Sequence, residues 1–340
     1  MSLTAPQSAE LAAFSQSIKS RSLNPLWERT VSQQPGTPCA PHIWHWSDVE
    51  PELLKACKLI GTKDADRRVL MLENPAMKGT SFIAQTIFTG VQIILPGEVA
   101  SAHRHTPNAL RFVMKGEGAY TAVSGERTMM RPGDFVVTPN WSWHDHGNIG
   151  TEPVVWMDGL DSAFTKFFGT TFREDYPEET QPLHRSEGDS MAAFGSALLP
   201  MDFKSDGAVS PILIYPYART REALAHLQKS SPLHPVHGVK LRYANPANGK
   251  YPFPTMAAFM QLLPEGFDGK SARSTENAVF NVAEGHGVVT IGGEKFDFGP
   301  HDIFVAPGWS EFSFKAKGEC VIFSYSDRAA QEAMGFFREG

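Results

Sequence analysis

Gly97 falls on Gly266 when the chain is laid over itself at an offset of 169 residues, and that internal repeat constrains the fold more than any other feature. The same offset sets Asn108 on Asn277, Gly116 on Gly285 and Gly118 on Gly287 without a gap. At an offset of 168, Gly125-Glu126 falls on Gly293-Glu294, Asp134 on Asp302, Pro139 on Pro307 and Trp141-Ser142 on Trp309-Ser310. In a chain of 340 residues, such a period means two copies of one folding unit. Most of the recurring residues are turn formers. With 25 Pro, 29 Gly and 23 Phe, the composition favours many short strands over long helices, an all-β class with helix only at the periphery.

Local pattern supports this. Strands are expected at Arg67–Leu72, Phe82–Leu95, Ala109–Met114 and Gly118–Val123, broken at Pro96-Gly97, Lys115–Gly118 and Ser124–Glu126. Strands this short with turns this frequent suggest a closed antiparallel barrel. The expected organisation is an N-terminal helical arm over 1–65, a first barrel over 66–170, a connector over 171–240 and a second barrel over 241–340. In the arm, Leu11, Phe14 and Ile18 recur at helical spacing, and Ser47-Asp48-Val49-Glu50 reads as a capping box ahead of Leu53, Leu54 and Cys57. The connector holds a helix candidate, Thr220–Leu227, among Pro211, Pro216, Pro232 and Pro235.

The repeat separates scaffold from chemistry. His103 and His105 lie at i and i+2, on one face of a strand, and His144 follows the turn and strand Arg131–Pro139 that could return a third imidazole to the same point. In the second copy these places are taken by Ala272, Ser274 and Phe312. A packing role would have served both copies equally. Three neutral nitrogens with open coordination positions suit a catalytic divalent metal. His42, His45, His234 and His237 lie in an aromatic segment and a Pro-rich connector and are not expected to be ligands.

Several classes are disfavoured. A net charge of -6 with no Lys/Arg run leaves no electrostatic footprint for nucleic acid or an anionic membrane. No apolar run approaches the roughly 18 residues of a membrane span, and Met1–Pro6 lacks the basic start of a leader, so a cytoplasmic location is expected. Cys39, Cys57 and Cys320 are odd in number and far apart, which indicates neither a disulfide framework nor a zinc knuckle.

Pro96-Gly97-Glu98…His103-Arg104-His105, Gly116-Glu117-Gly118 and Pro132-Gly133-Asp134…Pro139…His144 resemble the two signature motifs of the cupin superfamily. The doubled barrel, with a metal site only in its first half, is similar to the gentisate 1,2-dioxygenase family, which includes salicylate and 1-hydroxy-2-naphthoate dioxygenases. The string Ser101–Phe112 is especially like that family. The resemblance implies a bicupin, two double-stranded β-helix (jelly-roll) barrels with an N-terminal helical arm, that holds Fe(II) on His103, His105 and His144. Many cupins add a Glu ligand four or five residues after the second His, where this chain has Ala109 and Leu110. A carboxylate-free site keeps three positions open for a bidentate anionic substrate and O2.

The implied reaction is extradiol-type cleavage of gentisate (2,5-dihydroxybenzoate) between its carboxyl- and hydroxyl-bearing carbons, giving maleylpyruvate. Salicylate or 1-hydroxy-2-naphthoate cleavage, or non-catalytic binding of a small aromatic acid, are the alternatives. The implied partners are a small aromatic carboxylate and O2, and the implied assembly is a homotetramer.

Further site residues follow from parity and from the resemblance. Arg111 alternates with Ala109 and Val113 and is expected to point inward as a carboxylate clamp. His146 shares the parity of His144 and is expected to handle a proton as a non-ligand. Phe88, Gly90 and Gln92 share a strand face that the resemblance places on the pocket, with Gly90 leaving room and Gln92 making a polar contact. Asp158 is expected to orient His146 or the substrate. Of Arg67 and Arg68, one faces inward, and the resemblance favours Arg67.

Overall fold

The computed structural model describes residues 5–65, 67–196, 198–204 and 208–340. Residues up to Gly36 form one unit and Thr37–Gly340 another. In the first unit, helix Ala5–Lys19 places Phe14 over Trp27, with ring centroids 6.4 Å apart.

The second unit is built from two barrels. In the first, a six-stranded sheet runs in the order Ile214–Tyr215, Phe135–Thr138, Ala109–Lys115, Val154–Leu160, Phe88–Ile94, Arg68–Met71. Its facing sheet runs Arg173–Asp175, Val99–His105, His144–Asn148, Ala119–Val123, Glu126–Met129. The second barrel repeats this with a six-stranded sheet, His42–Trp44, Ile303–Ala306, Ala278–Glu284, Cys320–Ser326, Ala257–Leu263, Val239–Arg242, and a three-stranded one, Glu294–Phe298, Gly287–Ile291, Phe312–Ala316. All the strand pairs are antiparallel.

Strand Ala109–Lys115 shows why these sequences form this architecture. One face, Leu110, Phe112 and Met114, belongs to the large core that also contains Met260, Val321 and Phe323 of the second barrel. Phe112 stacks on Phe323 with centroids 4.3 Å apart and ring planes 8° from parallel. Val113, on the other face, packs inside the first barrel against Trp156 and Val136. Up to Met114 both faces are buried, so the strand reads as a nearly continuous apolar run in which Arg111 is the one buried charge, ahead of the exposed Lys115.

The recurring glycines have a steric cause. Gly116 and Gly285 have φ of +85° and +86°, and a Cβ on either would lie 2.2 Å from a backbone oxygen, of Pro153 and Glu319 respectively. The recurring aspartates have a different one. Asp134 Oδ1 accepts the Tyr217 N–H (2.8 Å) at the start of helix Tyr217–Ser230, and Asp302 Oδ1 accepts the Trp46 N–H (2.7 Å) at the start of helix Trp46–Leu59. That second helix was expected to be capped by Ser47. Its cap instead comes from a residue 256 positions away, on the second barrel.

The repeat therefore extends beyond the barrels. Each copy begins with a short strand and a helix, His42–Trp44 with Trp46–Leu59 and Ile214–Tyr215 with Tyr217–Ser230. Each short strand joins the other copy's barrel, His42–Trp44 pairing with Ile303–Val305 and Ile214–Tyr215 with Phe135–Val136. Part of the segment read as arm thus lies in the second barrel's sheet, and part of the connector in the first. The exchange is closed by a reciprocal pair of hydrogen bonds, Thr255 to Asp161 and Thr86 to Asp327. Each of these aspartates also binds the recurring asparagine of its own copy, Asn108 or Asn277.

Candidate metal centre and substrate cavity

Strand alternation and one strand pairing assemble the three imidazoles. His103 and His105 project from Val99–His105, and His103 lies opposite His144 in the antiparallel register. A register shift between Ala100 and His103 marks where that strand bends into the site. The ring centroids are 4.2 Å (His103–His144), 4.8 Å (His105–His144) and 5.5 Å (His103–His105) apart, and one ligand atom from each lies within 4.8 Å of the others. Among the described residues this is the one group of three or more His, Cys, Asp or Glu placed to share an ion.

The orientation of each ring is set by a carbonyl two residues away. Nδ1 of His103, His105 and His144 faces the oxygens of Ser101 (2.8 Å), Pro107 (2.8 Å) and Ser142 (2.9 Å). A carbonyl only accepts, so each Nδ1 carries the proton and each Nε2 keeps its lone pair. His144 Nε2 is buried with no hydrogen-bond partner, while His103 Nε2 accepts from Arg67 Nη1 at 3.0 Å. Burial, reinforced by the Arg67 charge, depresses the pKa of His103 to about 3, and burial lowers that of His105 to about 4. Burial also pushes His144 well below its ordinary value. Three neutral, pre-oriented imidazoles, one with an orphaned lone pair, fit a divalent metal.

Beside the triad opens a cavity of about 290 Å3 lined by Arg67, Val69, Met71, Phe88, Gln92, His105, Ala109, Arg111, Asp158 and Leu160, with Ala65 at its edge. That volume lies at the small end for ligand pockets (roughly 300–1,000 Å3), the size of a single-ring molecule. Arg111 is buried, and Nη1 bonds Thr138 Oγ1 (2.5 Å), Nη2 meets His146 Nε2 (3.0 Å) and Nε lies 3.2 Å from Asp158 Oδ1. Burial pulls the Arg111 pKa down to about 10, with Asp158 opposing, so it remains a cation at neutral pH. Burial raises the Asp158 pKa while Arg111 restrains it, and Trp156 Nε1 donates to the same carboxylate at 3.2 Å.

Most of the expected site residues converge here, with three differences. His146 is fully buried with both nitrogens engaged, Nε2 with Arg111 and Nδ1 with Thr121 Oγ1 at 2.9 Å, and it holds Arg111 from behind without lining the cavity. Asp158 likewise meets Arg111 and not His146. Gly90 leaves no vacant room, because the position of its missing Cβ lies 2.5 Å from Val69 Cγ1, whose side chain fills the space. Val69 and Met71 were not singled out from the sequence, although they alternate with Arg67 on one strand face. Arg68 turns away from the cavity, toward Glu98 and the Ile60 carbonyl.

The second barrel keeps the frame without the chemistry. Ala272 and Phe312 form a bridge where His103 and His144 stand in the first. Phe259, Phe280 and Phe312 crowd the interior, leaving about 10 Å3, the room of one water molecule. Two jelly-roll barrels that repeat one sequence pattern, with a three-imidazole centre found, among the described residues, in the first alone, define a bicupin with a candidate metal centre.

Residues 90–160 match the Cupin domain family. The chain is 47% identical to gentisate 1,2-dioxygenase 1 of Aquipseudomonas alcaligenes over 97% of its own length and 96% of the relative's. It is 35% identical to the 1-hydroxy-2-naphthoate 1,2-dioxygenase of Nocardioides sp. (strain KP7), covering 98% of this chain and 89% of that one. It superposes with a TM-score of 0.90 and 31% identity on a salicylate 1,2-dioxygenase from Pseudoaminobacter salicylatoxidans in its gentisate adduct, covering 100% and 95% of the two chains. The chain belongs to the gentisate 1,2-dioxygenase family.

Proposed function

We propose that this protein is an Fe(II)-dependent gentisate 1,2-dioxygenase that opens the ring between the carboxyl- and hydroxyl-bearing carbons and yields maleylpyruvate, with both atoms of O2 incorporated. The observation that carries this reading is the carboxylate-free triad His103, His105 and His144 beside the buried Arg111 cation. These three histidines would hold the metal, which when bound supplies Lewis acidity and one-electron chemistry toward O2 and an electron-rich ring.

The chain's own residues bind and orient the substrate. Arg111 presents a fixed positive charge to the substrate carboxylate, at no cost of rotamer ordering on binding, because Thr138, His146 and Asp158 already hold its guanidinium. Arg67 adds a second charge on the same wall, Gln92 a polar contact, and Phe88 an aromatic face. Val69, in the space beside Gly90, favours a one-ring substrate over a two-ring one. His146 and Asp158 act through Arg111 as positioning residues. A cytoplasmic homotetramer is the assembly we propose. Among the described residues no helix is long and apolar enough to cross a membrane, and Leu26 and Trp27 leave apolar surface exposed for a contact between copies.

The test is anaerobic loading with Fe(II), then O2 uptake and growth of ring-opened product absorbance with gentisate, salicylate and 1-hydroxy-2-naphthoate in parallel. Gentisate is expected to have the highest kcat/KM. Ligand retention without O2 consumption would indicate a binding protein instead.

A further inference from the structure

Arg104 stands between the ligands His103 and His105 and, by strand alternation, points away from them, out of the barrel. Its guanidinium carbon lies 4.4 Å from the ring centroid of Trp141 and 4.5 Å from that of Trp143. Nε and Nη2 donate to Glu174 Oε2 at 2.8 and 2.6 Å, across the pairing of Arg173–Asp175 with His103–His105. Trp143 immediately precedes His144, and the carbonyl that orients His144 belongs to Ser142, between the two tryptophans. One planar cation therefore ties the strand that carries two imidazoles to the residues that carry the third. Elsewhere this junction is thinly bonded, since the strand register is interrupted between Ala100 and His103.

Half of this arrangement is scaffold. In the second barrel Arg273 lies 4.7 Å over Trp309. Trp309 has a left-handed φ of +65°, as Trp141 does at +59°, and its N–H bonds Ser274 O as that of Trp141 bonds His105 O. No imidazole triad exists there. The second indole contact does not recur, because Glu311 stands at the place of Trp143. The second indole thus accompanies the ligands and not the fold.

We propose that Trp143 and Arg104 form a positioning clamp outside the barrel that sets His144 against His103 and His105, and with it the affinity and coordination geometry of the metal centre; this rests on the metal-centre reading above. A planar guanidinium in contact with two indoles and bonded to Glu174 is a more rigid spacer than a flexible lysine. Outer supports of ligands are typically worth on the order of 10–100-fold in metal affinity.

The test uses Co(II), bound in competition with a chromogenic chelator, with its visible absorption spectrum and the melting temperature of the metal-free protein read alongside. Trp143→Leu and Arg104→Met are expected to weaken Co(II) by on the order of 10-fold or more and to change the spectrum. Trp143→Phe, which keeps an aromatic face, stays close to the parent in both. Trp309→Leu, the scaffold counterpart, lowers the melting temperature with Co(II) affinity unchanged. If Trp143→Leu does not fold, Arg104→Met and Arg104→Lys carry the comparison. Parental affinity and spectrum in the Trp143 and Arg104 variants would overturn the clamp, as would equal weakening by Trp309→Leu. A parent protein that binds Co(II) without dependence on His105 would overturn the metal-centre reading, and the clamp with it.

Discussion

Replacing Arg111 with Met tests whether Asp158 and His146 exist to hold a charge. The side chains of Arg111 and Asp158 are 3% and 9% exposed, and Arg111 Nε lies 3.2 Å from Asp158 Oδ1. Removing the cation leaves a carboxylate in a site where burial already raises its pKa, and breaking a buried pair from one side costs about 3–5 kcal/mol. With about 2.1 cal/mol/K of unfolding entropy per residue, the Thr37–Gly340 unit shifts by roughly 1.6 °C per kcal/mol, a fall in melting temperature of about 5–8 °C. Removing both charges, in Arg111→Met with Asp158→Asn, leaves no stranded ion and is expected to recover most of the loss. Activity separates from stability. Both variants lose the charge proposed to meet the substrate carboxylate, so kcat/KM for gentisate is expected to fall by about 10–150-fold (about 1.5–3 kcal/mol for a charged hydrogen bond) and not to be restored in the double variant. Thermal melts and steady-state kinetics on the two single variants and the double complete the cycle. Strict additivity of the two stability losses would refute the coupling. Recovery of kcat/KM in the double variant would refute substrate binding by Arg111.

Chelation should abolish turnover and lower the melting temperature, and re-addition of metal at about 100 times its Kd should restore about 2.7 kcal/mol; a chelator-treated protein that turns over at the original rate would exclude a metal requirement. In Gly90→Ala the new Cβ meets Val69 Cγ1 at 2.5 Å, so overpacking of about 1–3 kcal/mol and a raised KM are expected, both relieved by adding Val69→Ala. An unchanged KM in Gly90→Ala would show that this wall does not touch substrate. Asp302→Ala removes the acceptor for the Trp46 N–H and should cost about 1 kcal/mol of stability with kcat unchanged, measurable by urea unfolding.

The metal triad was legible because two simple periodicities, strand alternation and the repeat offset, act on residues of rare type. Arg111 was legible for the same reason, as a charge with inward parity in an apolar run. The exchange of His42–Trp44 and Ile214–Tyr215 between barrels was not, because strands of three and two residues are too short to show an alternation. Ser47 gave a local capping signal, but the acceptor that won was Asp302, brought from the other copy by that exchange. Gly90 marked a place where a side chain is missing, and nothing in its own strand says that Val69 of the neighbouring strand fills it. Parity turned His146 inward, but both of its nitrogens are taken by Arg111 and Thr121, two residues from different strands that only the folded barrel brings to it, so it stands behind Arg111 and does not line the cavity.

The most direct test of the central claim is a single-turnover experiment in which the protein, stripped of metal and reloaded anaerobically with Fe(II), is mixed with gentisate and a limiting amount of O2. Consumption of one O2 per gentisate is predicted, with 18O from 18O2 in the ring-opened product and no reaction in His105→Ala. Gentisate that remains intact with the Fe(II)-loaded protein, or O2 uptake that persists in His105→Ala, would contradict it.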